Sequence, residues 1–100
     1  MKINNVEHLN NFKDIKEISE IVDEIKEIEK YQQKLDVKKA EDFLNRLRIK
    51  YIKDLVEYNE KHPYMGKNLE ENLNNAKQFL FYKANKILSK KIIGVLENGK

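Results

Sequence analysis

The residues of this chain that could do covalent chemistry are few and far apart. Ser19 and Ser89 are the candidate hydroxyl nucleophiles, and His8 and His62 are the two imidazoles. A hydrolytic triad needs a nucleophile, a base and an orienting group that converge, and neither serine has a histidine at helical spacing. The absence of cysteine from the sequence excludes a disulfide, a thiolate zinc site and a cysteine nucleophile. We therefore predict that the protein is not an enzyme.

Acidic pairs in the first third of the chain are the candidates for a metal site. Glu17, Glu20 and Glu24 follow one another at helical spacing. Metal sites in carboxylate-rich helical bundles combine inward glutamates with a Glu-x-x-His element, and the sequence contains no such element. A solvated helix flank on which glutamates pair with lysines explains these residues more simply. We predict no metal ion and no other cofactor.

Unbalanced positive charge is the strongest pointer to a partner. Asn72 to Leu96 contains no acidic residue, and residues 1–50 are balanced, so the second half of the chain supplies the net charge of +3. Two basic rows have helical spacing: Lys83, Lys86 and Lys90, and Arg46, Lys50 and Lys53. If the rows adjoin, they could neutralise phosphates or an acidic protein surface. A solvated lysine face is the simpler alternative, and both interpretations stay open here.

Three aromatic or apolar groups have no clear place in a buried stripe. Phe79, Phe81 and Tyr82 cannot all lie on one helix face, so we expect Phe81 to point outward and to mark a protein contact. In the loop predicted near residues 61–68, Tyr64 and Met65 either cap the end of the helices or form an adaptable contact patch. Together with the two basic rows, Phe81, Tyr64 and Met65 form the predicted partner-binding site.

Apolar spacing predicts three long helices, at residues 14–34, 37–59 and 69–93. Each has at its start, or directly before it, a residue suited to capping a helix N-terminus: Asp14, Asp36 and Asn68. Between the last two helices, Pro63 biases His62 away from helical geometry, and Gly66 permits a turn with a positive φ. Gly94 is the expected C-terminal stop, followed by a frayed tail over residues 95–100.

These elements predict an all-α fold in one domain over residues 1–100. Three helices that each carry one apolar stripe must bury the stripes against one another, and short connections favour an antiparallel three-helix bundle. Residues 1–13 are expected to form a short fourth helix or an ordered arm. No apolar run approaches the length of about 20 residues that a membrane span needs. The N-terminal residues also lack the apolar run of a signal peptide, so we expect a cytoplasmic protein.

The second and third predicted helices resemble the helical domain of archaeal GINS subunits, which are small replication factors. The resemblance lies in Glu41-Asp42-Phe43, Arg46 to Leu55, Leu69 to Lys77, and Lys90-Lys91-Ile92-Ile93. The chain departs from the family where Lys83, Asn85 and Lys86 replace an Arg-rich segment, and it has no room for the family's small β-domain. The resemblance implies a non-enzymatic scaffold in a replicative helicase assembly, and it assigns no site residues.

The leading hypothesis is a non-catalytic helical module that binds the acidic surface of a protein partner through its basic third helix and the loop. The setting would be a replication or nucleic-acid-handling complex. One alternative is a small inhibitor or immunity-type bundle, of bacteriocin or phage origin, that binds one target protein. A further alternative is direct nucleic-acid binding through the lysine rows. Homo-oligomerisation is a separate question that the sequence leaves open.

Overall fold

The computed structural model describes the backbone of residues 3–98 and the side chains of residues 3–91. Regular structure in this range is entirely helical, which confirms the all-α class. The elements are α1 (Val6–Leu9), a 3₁₀ turn (Asn10–Phe12), α2 (Lys16–Gln33), α3 (Val37–Lys50), α4 (Ile52–Asn59) and α5 (Leu69–Asn98). Among these helices, none is both long and apolar enough to cross a bilayer.

Helix α2 forms the inner wall of the core. Its isoleucines and valine recur at three- and four-residue steps, which places them on one side of the helix. Ile18, Ile21, Val22, Ile25 and Ile28 are each at most 1% exposed. Helix α5 packs along α2 and also contacts α3 and α4. Because α5 touches each of the other long elements, it positions them relative to one another.

The N-terminal segment covers the side of α5 that the sequence left without a partner. The side-chain amide of Asn85 donates to the Ile3 carbonyl at 2.6 Å, and its oxygen accepts the Ile3 N–H at 2.7 Å. Phe81 lies one helical turn before Asn85 and is only 8% exposed. The prediction that Phe81 points outward is therefore wrong, because the pattern within α5 gives no information about the distant segment that packs there.

Two of the three predicted helix caps are present. The Asp36 carboxylate accepts the Lys39 N–H at 3.2 Å, and the Asn68 side chain accepts the Glu71 N–H at 2.9 Å. Asp14 does not cap α2, which begins at Lys16 after Ile15 and has no side-chain cap. The preceding 3₁₀ turn explains the difference, since the Ile15 N–H already bonds to the Phe12 carbonyl at 3.0 Å.

The helix predicted over residues 37–59 is interrupted at Tyr51, where the backbone leaves helical geometry (φ −112°, ψ 28°). The buried stripe continues across the interruption, because Leu47, Tyr51 and Leu55 are all buried. The Tyr51 hydroxyl donates to Glu24 of α2 at 2.6 Å. This contact with another helix is tertiary, so the local pattern of α3 and α4 could not reveal it.

The last helix is longer than predicted. Helix α5 continues to Asn98, past the expected end at residue 93 and through the expected stop at Gly94. A glycine inside a helix costs about 1 kcal/mol relative to alanine, which a long packed helix can absorb. Residues 99 and 100 of the predicted tail lie outside the described residues.

Gly66 is needed for close packing rather than for a positive φ, which no described glycine has. A Cβ at this position would lie 2.5 Å from the Cβ of Glu71. The Gly66 N–H donates to the Asn72 side chain at 2.6 Å, and the Lys67 N–H donates to the Glu71 carboxylate at 2.6 Å. The end of the loop is therefore hydrogen-bonded to the first turn of α5.

The difference between the two aspartates can be tested by a matched pair of substitutions. We expect Asp36→Ala to lower the free energy of unfolding by about 1 kcal/mol, because it removes a cap. Asp14→Ala should leave the free energy of unfolding unchanged within about 0.5 kcal/mol, because the Asp14 side chain is exposed and caps no helix. Urea denaturation followed by circular dichroism measures both; equal losses would contradict the observed start of α2.

The role of Asn85 can be tested by hydrogen exchange. Asn85→Ala removes both bonds to Ile3 and should lower the free energy of unfolding by roughly 1–3 kcal/mol. It should also speed exchange of the amides in α1, because the N-terminal segment loses its attachment to α5. Asn74→Ala, an exposed position on the same helix, is the control. Unchanged exchange in α1 would show that other contacts hold the segment.

Candidate functional site

Two of the three lysines in the basic row of α5 form ion pairs within the protein. Lys83 Nζ lies 2.9 Å from Asp54 Oδ2, and Lys86 Nζ lies 3.3 Å from Glu57 Oε1. Both acids belong to α4, and the two pairs have the same three-residue spacing on both helices. The lysines therefore serve the packing of α5 on α4. Lys90 is exposed and has no ion pair among the described side chains.

The second basic row is divided between different surroundings. Lys50 Nζ lies 2.7 Å from Glu24 and 3.5 Å from Glu20, so it joins α3 to α2. The Arg46 guanidinium lies over the Phe43 ring, 5.9 Å from the ring centroid. Lys53 is exposed. The structure thus turns Lys50 toward α2, and Lys83 and Lys86 toward α4, so that the rows do not combine into one free cationic surface.

Lys50 and Lys86 hold their protons more tightly than free lysines. Burial alone would lower the pKa of Lys50, but the hydrogen bond and charge of Glu24 outweigh that effect and raise it. For Lys86, the hydrogen bond to Glu57 is the main cause of a raised pKa. Both ion pairs are accessible to solvent, which limits what an ion pair adds to stability. Their effect is to remove free positive charge from the surface.

The two loop candidates have different environments. Tyr64 is 8% exposed and packs edge-on against Phe79, with the ring centroids 6.1 Å apart. Its N–H donates to the Asn59 side chain at 3.1 Å, and its carbonyl accepts from Asn75 at 3.0 Å. Met65, the next residue, is 61% exposed. Tyr64 therefore caps the helices, whereas Met65 is available for contact.

Large apolar side chains are exposed together beside Met65. Ile49, Ile52 and Val56 are 76%, 52% and 62% exposed. Ile52 and Val56 lie one turn apart on α4 and line the same groove as Met65, and Ile49 lies on α3 just before the interruption at Tyr51. We call Ile49, Ile52, Val56 and Met65 the apolar face. Single exposed apolar residues are ordinary, but several that share a groove are typical of a binding surface.

The groove beside this face lies between α4 and the loop and has a volume of about 370 Å³. Leu55 and Tyr64 belong to its walls, and the Arg48 side chain stands at the end nearest α3. The Arg48 guanidinium reaches the Met65 sulfur at 3.6 Å. The groove is therefore mostly apolar and has a cation at one end.

Arg48, Ile49, Ile52 and Val56 were missed as site residues, although the sequence carries a signal for them. Ile49, Ile52 and Val56 form a second apolar stripe, offset from the buried one that contains Leu47 and Leu55. A helix on the surface of a small bundle buries one apolar stripe in the core, so a second stripe remains exposed to solvent or to a partner. Arg48 has no comparable sequence signal, because its position depends on where the loop places Met65.

The residues considered for catalysis remain apart. His62 is exposed and stacks on Tyr58, with the ring centroids 4.8 Å apart, while Ser19 and Ser89 lie on α2 and α5. In the part of the chain that the structure describes, no three histidine or acidic side chains gather as a metal site would require. Glu20 and Glu24 instead hold Lys50.

Comparison with known proteins adds no family assignment, since no protein-family model, no curated protein and no solved structure matches the chain. The resemblance to GINS subunits therefore stays a prediction. The argument for function depends on the geometry of the surface.

Tyr51 gives the α2–α3 contact a pH dependence that can be measured. Burial, followed by the hydrogen bond to Glu24, raises the pKa of Tyr51 above its ordinary 10.0. The folded state thus holds this proton more tightly than the unfolded state. The resulting stability is complete below pH 10.0 and is lost as the pH rises toward the folded pKa.

We expect Tyr51→Phe to flatten this alkaline decline by up to about 1.4 kcal/mol per pH unit between about pH 10 and 11.5. Urea unfolding at a series of pH values measures the slope for each protein, independently of any loss at neutral pH. Tyr82→Phe is the control, because Tyr82 has no hydrogen bond to a carboxylate among the described residues. Equal slopes for the two variants would contradict the role of Tyr51.

Proposed function

We propose that this protein is a non-catalytic module that binds a partner protein through its apolar face. The observation that carries the proposal is that Ile52, Val56 and Met65 are each more than half exposed and line one groove, with Ile49 exposed on the preceding helix. Binding would remove these side chains from water, which contributes about 25 cal/mol per Å² of apolar surface. Methionine and branched aliphatic side chains adapt well to a partner's shape.

The distribution of charge favours a protein partner over nucleic acid. Lys50, Lys83 and Lys86 would each have to exchange a carboxylate inside the molecule for a phosphate. Such an exchange offers less net electrostatic gain than a free lysine would. The apolar face offers no stacked aromatic platform for bases. Direct nucleic-acid binding is therefore the weaker alternative, with Arg46, Lys53 and Lys90 as its remaining candidates.

Two biological settings fit a protein-binding module of this kind. The resemblance to GINS subunits suggests a cytoplasmic scaffold in a replication complex, whereas a small inhibitor or immunity protein would block one target. The partner that copurifies with the protein, and the genes that adjoin its own, distinguish the two settings. Replication factors would support the first, and a toxin or a single inhibited enzyme would support the second.

We also propose that the helices form an antiparallel three-helix bundle, in which α3 and α4 together count as one interrupted helix. The proposal is supported by the short connection between α2 and α3 and by the contacts of α5 with α2, α3 and α4. In this arrangement the N-terminal helix α1 packs on the side of the bundle, and the apolar face lies on its outside.

The proposed function predicts different effects for the same substitution at two exposed valines. Val56→Lys places a charge in the apolar face and should reduce recovery of the physiological partner at least about tenfold, which is about 1.4 kcal/mol. Val37→Lys is the matched control, because Val37 is 52% exposed but lies at the start of α3. Affinity capture from the native host, quantified by mass spectrometry, measures both variants.

Neither substitution should change the melting temperature by more than a few degrees, since exposed positions usually change stability little. Equal recovery of the partner by Val56→Lys and by the unaltered protein would show that the apolar face is not the interface. A partner that is lost only when Lys53 and Lys90 are replaced by glutamate would favour the charged alternative.

A further inference from the structure

Arg48 differs from every other half-buried cation that the structure describes. Lys77, Lys83 and Lys86 are also half-buried, and each has a carboxylate oxygen within 3.8 Å. Arg48 has no carboxylate partner in residues 3–91, and its contact is with the Met65 sulfur. The protein thus neutralises the cations that lie between its helices but leaves the one in the groove unpaired.

The hydrogen bonds of Arg48 are also incomplete. Its Nε is buried and has no acceptor, and the thioether of Met65 is a weak acceptor for the terminal nitrogen. A buried donor without an acceptor is unfavourable, more so on a charged group. A guanidinium presents donors in a planar fork that matches a carboxylate. The buried Nε is out of a ligand's reach, but the terminal nitrogens, of which one has only the Met65 sulfur as acceptor, have unused capacity for an anionic oxygen in the groove.

Arg48 is the one charged residue among the described side chains that line the groove. Glu41 belongs to a neighbouring pocket that it shares with Arg48 and Met65. Inside the groove, a carboxylate would therefore face a cation, whereas a basic group would be repelled by it. Charge complementarity of this kind selects partners more than it adds affinity.

We propose that the groove binds an acidic-apolar segment of the partner protein, with an aspartate or glutamate at Arg48 and large apolar side chains over Ile52 and Val56. The inference rests on the proposed function and specifies the chemistry of its partner. The carboxylate would accept hydrogen bonds from the terminal nitrogens of the guanidinium, and the apolar side chains would fill the groove. Neither feature alone uses the whole surface.

The test uses the full chain, immobilised, against a display library of random linear peptides. We expect the enriched peptides to combine an acidic residue with two or more large apolar residues. A synthetic copy of one such peptide should bind the unaltered protein and should bind Arg48→Gln about tenfold more weakly, because one charge-assisted contact is lost. Lys26→Gln, which makes the same change in net charge on α2, should bind the peptide as the unaltered protein does.

A reversal of charge then separates a specific contact from loss of structure. Arg48→Glu should lose the acidic peptide and regain binding when the acidic residue of the peptide is replaced by lysine. A general loss of folding in Arg48→Glu would not be rescued in this way. Thermal unfolding of Arg48→Gln provides a second check, since a correctly folded variant with unchanged peptide affinity would overturn the role of Arg48.

The failures of the two proposals are distinguishable. Enrichment of apolar peptides without an acidic preference, lost in Val56→Lys and unchanged in Arg48→Gln, would retain the apolar face and overturn the acidic segment. Peptides that bind Val56→Lys as well as the unaltered protein would overturn the docking surface itself. Sedimentation that shows a dimer abolished by Val56→Lys would identify a second copy of the chain as the occupant and would also overturn the acidic segment.

Discussion

Burial of the isoleucine-rich side of α2 against α5 is the interaction on which the rest of the structure depends. Ile18, Ile21 and Ile25 are almost completely removed from water, and each contributes about 1.5–3 kcal/mol by burial. Helix α5 is long enough to contact α3 and α4 as well. Because one rigid helix serves all of these contacts, it fixes where every surface residue of α3, α4 and the loop is presented.

The charged residues gain their meaning from this packing. A helix that appears strongly basic in isolation becomes largely neutral once α4 supplies Asp54 and Glu57 to its lysines. Lys50 is treated in the same way by α2. The pairs are too exposed to contribute much to stability. Their consequence is for the charge of the surface, since they leave the apolar face and the unpaired Arg48 as its distinctive features.

The apolar face shows why an interrupted helix is useful at this position. Helices α3 and α4 bury one stripe, which includes Leu47 and Leu55, and expose another, which includes Ile49 and Val56. The loop then brings Met65 beside the exposed stripe and creates a groove. A surface formed by two elements has a defined shape, which a single exposed helix stripe lacks. This supports selective binding rather than general adhesion.

The sequence by itself determined the helical class, the approximate helices and the caps at Asp36 and Asn68, because these depend on interactions between residues close in the chain. It also contained the second apolar stripe. The burial of Phe81, the interruption at Tyr51 and the pairing of the lysines appear only in the folded chain. There, Asn85 bonds to Ile3, Tyr51 to Glu24 and Lys83 to Asp54, and each of these partners is far away in sequence. Helical periodicity shows which side chains share a face, but the contacts of that face are set by segments distant in sequence and are seen only in the tertiary structure.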